Sequence, residues 1–170
     1  MMMMHRTVRH ALLAGLLVLT ACTAAAAEPA GSSDPLVGYW RAPAGDDSGR
    51  SSIVELFVRD GHLFGRIVRT EAADGSVLHP VCERCSEPLK GQPMQGMEFV
   101  RDLRKDGDAW VDGRVVDLRP GWTQGLTGIC ELRLVDGDHA ELLGYRGLRA
   151  FGETSTWTRE PAPAPSASAE

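Results

Sequence analysis

The chain has 170 residues, 43% of them hydrophobic and 24% charged, a profile that fits one globular domain and excludes a disordered or fibrous protein. Its 18 Lys and Arg against 23 Asp and Glu leave a net charge of −5 at pH 7, which removes the basic footprint that nucleic acid or an anionic membrane surface would require. No nucleic-acid partner is expected.

Residues 1–27 read as an export signal. Arg6 and Arg9 give a basic start, and residues 11–21 form a run of small and apolar side chains. As a helix that run covers about 16 Å, too short for a hydrocarbon core of about 30 Å, so a secretory leader is expected and a transmembrane anchor is not. Two processing routes remain open. Leu19-Thr20-Ala21-Cys22 resembles the bacterial lipobox, in which Cys22 is lipidated and becomes the new N-terminus. The four alanines at 24–27 also suit ordinary cleavage, which would discard Cys22. Either route sends the chain to the periplasm, and the first ties it to the outer membrane. Residues 28–35 then serve as a flexible linker.

The body, residues 36–159, has a period of two rather than 3.6. A first short strand is expected over 36–40. Residues 51–59 carry Ile53, Val54, Leu56, Phe57 and Val58, and 62–70 follow after Asp60-Gly61, a strong hairpin signal. The pattern repeats with 97–104 and 110–117 around Gly107, and with 127–135 and 139–146 around Gly137. In 127–135, Cys130, Leu132 and Leu134 share one face, and Glu131 and Arg133 the other. A last strand is expected over 153–159. About eight antiparallel strands in sequential hairpins, with no amphipathic helix between them, close naturally into an up-and-down β-barrel, and a β-sandwich is the alternative. Residues 160–170, rich in Pro, Ala and Ser, read as a disordered tail.

Between the strands, residues 71–96 form one long connection with Pro80, Pro88 and Pro93, longer than structureless loops usually are and so a candidate lid or binding loop. It carries His79, Cys82 and Cys85. Their spacing could place an imidazole and two thiolates around a metal, with Cys130 as a conceivable fourth donor, but one Cys-x-x-Cys is a weak signal. In an oxidising compartment the plainer expectation is a disulfide, either Cys82 to Cys85 or one of these to Cys130, with the third thiol free or simply a small buried hydrophobe. No helix follows the pair to lower a thiol pKa as in redox enzymes. The three histidines beyond the leader, His62, His79 and His139, form no triad with a nucleophile, and no Gly-x-Ser-x-Gly or phosphate-binding loop is present. The turn chemistry alone explains Asp60, Asp106, Asp108, Asp136 and Asp138. No catalytic residue and no cofactor is nominated.

Several ordered motifs carry a resemblance. Gly38-Tyr39-Trp40, the stretches 88–97 and 111–117, Gly144-Tyr145-Arg146-Gly147 and the stretch 151–159 resemble the exported bacterial family catalogued as domain of unknown function 2147. The resemblance covers essentially all of 36–159 and implies a lipocalin-like barrel and an envelope location, but no reaction. The chain departs from the family pattern after Asp117, where residues 118–126 stand in place of Pro and a Gly-Lys-x-Tyr element. In lipocalin-like barrels a Gly-x-Trp at the first strand plugs the closed end and an Arg of the last strand covers it, which nominates Gly38, Trp40 and Arg159 for structural roles.

The expectation is therefore a non-enzymatic envelope protein with a small, partly apolar ligand in its cup. Val54, Leu56, Val58, Leu132 and Leu134 would line that cup, or fill a solid core instead. A structural or interaction module of the envelope is the alternative, and a thiol- or metal-dependent activity at Cys82 and Cys85 the third.

Overall fold

The computed structural model describes residues 34–163. The leader with Cys22, most of the linker and most of the tail lie outside the described residues. Among the described residues nine strands follow one another: β1 (Gly38–Pro43), β2 (Ser51–Arg59), β3 (His62–Glu71), β4 (Val77–Leu78), β5 (Glu98–Asp106), β6 (Ala109–Val116), β7 (Thr127–Leu134), β8 (His139–Tyr145) and β9 (Glu153–Glu160). A single turn of 3-10 helix, Arg149–Phe151, precedes β9.

Each strand pairs antiparallel with the next around a ring, omitting β4, and β9 returns to pair with β1, with Trp40 opposite Arg159. Closure leaves the eight ring strands no free edge, which is why short strands of this length can stand alone in water. The barrel is the architecture of the sequence reading; the sandwich is not. Alternation places Val54 and Leu56 of β2, Leu103 of β5, Cys130 and Leu132 of β7 and Trp157 of β9 in one apolar core.

Two local departures from the sequence reading have simple causes. The first strand begins at Gly38 and not at Leu36, because the Asp34 carboxylate accepts the Leu36 amide at 3.0 Å and the Asp34 carbonyl accepts the Val37 amide at 3.0 Å, holding 34–37 in a turn. The long connection is not structureless either. β4 pairs with the end of β3, and farther on Val81 bridges to Pro93 while Cys82 and Gln92 exchange a backbone bond of 2.9 Å, making a small lobe.

The two ends of the barrel differ. At one end lie the tight hairpins, β2–β3 at Asp60-Gly61, β5–β6 at Gly107-Asp108 and β7–β8 near Gly137. Both Asp60 and Gly61 have positive φ, 52° and 78°, as a type I′ turn demands. Here the core is solid. Trp40 is fully buried, its indole donates to the Leu36 carbonyl at 2.9 Å, and the Arg159 guanidinium lies 4.2 Å from the ring centroid. Arg159 also donates to the Pro35 and Gly137 carbonyls, both at 2.7 Å, so one side chain ties the incoming chain to the β7–β8 turn. Gly38, at φ 132°, sits where a side chain would strain the backbone.

On the outer wall, Glu71 is almost fully buried between Arg41 (2.7 Å) and Arg69 (2.5 Å), and Arg41 reaches on to Glu160. The Arg41 hydrogen bond first, and that of Arg69 after it, hold the Glu71 carboxyl below its ordinary value of 4.5 against the pull of burial. A carboxyl depressed in the folded state contributes stability that is complete above its unfolded pKa and is lost as pH falls through the folded one. Urea midpoints should therefore fall from about pH 4.5 downward, and Glu71→Gln should flatten that part of the profile while lowering stability at pH 7. An unchanged acid limb in the variant would show that other carboxylates set it.

Candidate functional site

The other end is open. There the strands are joined by long loops: residues 44–50, 72–97, 117–126 and 146–152. Between them lies a cavity of about 610 Å³, within the size range of small-molecule sites. Its floor and walls are apolar. Phe99 and Trp157 meet in tilted contact with centroids 6.3 Å apart, joined by Ala42, Val54, Ile67 and Leu142. The Trp157 indole donates to Ser155 Oγ at 3.2 Å, and Ser52 shares a hydrogen bond of 3.1 Å with Thr70, so the walls hold few polar groups in search of a partner.

Around the rim the chemistry changes. Arg50, Glu83, Asp117, Arg119, Arg146 and Glu153 all border the cavity. Arg50 is held by Asp46, and Arg119 by Asp117 and Glu153. Burial works against the charged form of Asp117, yet the Arg119 guanidinium and the Arg119 amide hold its carboxyl below the ordinary range. Arg119 is raised in turn by Asp117 and Glu153 and stays charged. Large apolar side chains also stand in solvent at this end: Trp122 is 79% exposed and Phe151 83%, and both border the cavity, with Leu148 beside Phe151 in sequence at 67%.

Of the five positions expected to line the cup, Val54 does. Leu56 and Leu132 are completely buried in the packed closed half, and Val58 and Leu134 lie half-buried against the same core, so none of these four borders the cavity. Period-two alternation tells which face points inward; it carries no information about height along the barrel axis. Sequence alone nominates neither Phe99 and Trp157 for the floor nor the 117–126 loop for the rim, although the alternation around Trp157 marks it as inward.

The metal reading fails on geometry. Cys82 and Cys85 are joined in a disulfide, which leaves neither as a thiolate, and His79 is exposed. Among the described residues no group of three or more His, Cys, Asp or Glu is placed to hold a metal ion. The disulfide sits with Met94 and Met97 in a second small core, against which Leu89, Val116 and Leu118 pack. The packing of Val116 and Leu118 against this core holds the lobe beside the mouth to the top of β6. Cys130 is a free thiol buried in the barrel core, and burial pushes its pKa up to about 12. A chain lacking residues 1–27 should accordingly show no thiol reactive to Ellman's reagent when native, one when denatured without reductant, and three after reduction. A reactive thiol in the native protein would mean that the disulfide is open or the core is not closed over Cys130. His62 and His139 are exposed beside hairpin turns, away from the cup.

No curated protein matches the chain. Among solved structures it is similar to protein HP1028 from the human pathogen Helicobacter pylori, described as belonging to the lipocalin family. The two share 22% identity and a TM-score of 0.60, and the match covers 74% of this chain and 82% of that one. At that identity the likeness speaks for the fold, a lipocalin-like barrel. The family model described as "Uncharacterized protein conserved in bacteria (DUF2147)" matches residues 38–159, from the Gly-x-Trp of β1 to the Arg159 that covers it, and the chain belongs to that family.

Proposed function

We propose that this protein binds and carries a small, partly apolar molecule in the open-end cup, without catalysis, in the bacterial envelope. The observation that carries the reading is the division of the barrel into a solid closed half and an open half holding about 610 Å³ with an aromatic floor. A protein selected only for stability would fill that space, since each buried apolar contact it forgoes costs stability. A ligand entering it gains about 25 cal/mol per Å² of apolar surface removed from water, and the rim charges outside the Arg119–Glu153 pair, Arg50, Glu83 and Arg146, orient a polar end toward solvent. The export signal and the lipobox at Cys22 support an envelope location, with Cys22 as the anchor.

The test is native mass spectrometry of the protein purified from its own envelope, followed by a spectrum under denaturing conditions. A non-covalent adduct that vanishes on denaturation supports the carrier and gives the ligand's mass. An empty barrel that also fails to bind the apolar dye N-phenyl-1-naphthylamine overturns it. The denatured mass tests the anchor separately, through a diacylglycerol-sized increment on a chain that starts at Cys22.

A second reading has one observation in its favour. Trp122, Phe151 and Leu148 expose large apolar surface at loop tips, as a surface that docks another envelope protein would. In that case the same preparation would arrive empty but with a co-purifying partner.

A further inference from the structure

The connection from β6 to β7 does more than join two strands. Its base is pinned by the Asp117 amide to the Leu126 carbonyl (2.9 Å) and the Gly125 amide to the Asp117 carbonyl (2.7 Å). On one side it is clamped to the disulfide lobe: the Arg84 amide donates to Gln124 Oε1 at 3.3 Å, and Gly125 lies so close that a Cβ there would stand 2.4 Å from the Arg84 carbonyl oxygen. From this base Arg119 reaches outward. Its guanidinium binds Asp117 through two nitrogens (3.0 and 2.9 Å) and donates its remaining terminal nitrogen to Glu153, at the start of β9, at 2.7 Å. Its Cδ and Nη1 also lie 3.4 Å from the Cβ position of Gly45, in the β1–β2 loop.

The ring order gives this contact its meaning. Going round the barrel, the β6–β7 loop and the β1–β2 loop are separated by four strands in either direction, so they stand on opposite sides of the mouth. Arg119 therefore belongs to a strap that reaches across the opening to Gly45 on the opposite side and is latched on the way by Glu153 at the start of β9, two strands round from β7. Trp122, on the same loop, borders the cavity from above.

We propose that residues 117–126 are the gate of the cup and that the Arg119–Glu153 pair is its latch, so that ligand passes only when this pair parts. The proposal rests on the carrier reading. A latch closed equally over the empty and the filled cup slows binding and release by one factor and leaves affinity unchanged; a residue that touches the ligand changes affinity instead. With side chains 38% and 66% exposed, the pair is a weak one, suited to frequent opening.

The test is stopped-flow binding of N-phenyl-1-naphthylamine to wild type, Glu153→Gln and Arg119→Ala, together with amide exchange of residues 117–126. For Glu153→Gln, on- and off-rates should both rise roughly threefold to fivefold with Kd unchanged. Arg119→Ala, which also frees the seat at Gly45, should raise both by about tenfold, and strap amides should exchange faster in both variants. Unchanged rates, or a change in Kd without matched rates, would overturn the latch. Dye binding to none of the three proteins would overturn the carrier reading, and with it the strap's role in passage. Strap amides that exchange no faster in either variant would overturn the latch whether or not the dye binds.

Discussion

Trp40→Ala should destabilise the barrel by about 3–5 kcal/mol, a large share of the roughly 5–15 kcal/mol that holds a domain of this size together. The indole is completely buried, and three kinds of contact converge on it: the packing of the closed-end core, the bond to the Leu36 carbonyl and the Arg159 guanidinium over its face. Truncation removes the packing and leaves Arg159 over a hole. Arg159→Ala removes only the lid and its two carbonyl bonds and should cost about 1–2 kcal/mol. Because the two side chains touch, their effects should not add: the double variant should lose less than the sum. Urea unfolding followed by circular dichroism measures all three. A cost below about 1 kcal/mol for Trp40→Ala would mean that the closed end collapses around the vacancy.

The second large effect is on binding. Ala42→Trp should weaken N-phenyl-1-naphthylamine binding by more than about tenfold, because an indole at that position projects into the cavity and takes the space the ligand would fill. Ala42 is one of the small inward residues of β1 and borders the cavity. Thr154→Trp, on the exposed face of β9, is the control and should bind as wild type does. Unfolding midpoints should remain close in both variants, since the open half has room. If Ala42→Trp binds the dye normally, the dye sits elsewhere and the cup is not its site.

These effects trace back unevenly to the sequence. The strand count, the hairpins and the inward face of β7 are legible because alternation and the turn residues are local signals. The Trp40–Arg159 pair is legible only through the resemblance, since the two are joined by ring closure and nothing nearby in sequence announces it. The disulfide was one of several pairings that the cysteines allowed, and its place in a small core with Met94 and Met97 required the fold of the lobe. The strap is the stretch where the chain departs from its family, and its latch joins residues 34 apart that meet only because the loop after β6 leans over the mouth to the start of β9. The height of Leu56 and Leu132 along the axis depends on how far Trp40 and its neighbours fill the closed end, a property of the whole cross-section.

The pairing of β1 with β9 sets the order in which the barrel can form. Arg41 and Glu160, which meet at this seam, are 119 residues apart, so almost the whole chain must be made before the ring can shut. Until then β1 and β8 each present an unpaired edge to other chains. A nascent chain of this protein cannot complete its fold while its last strand is still inside a ribosome, and a product truncated before β9 is an aggregation hazard rather than a smaller barrel.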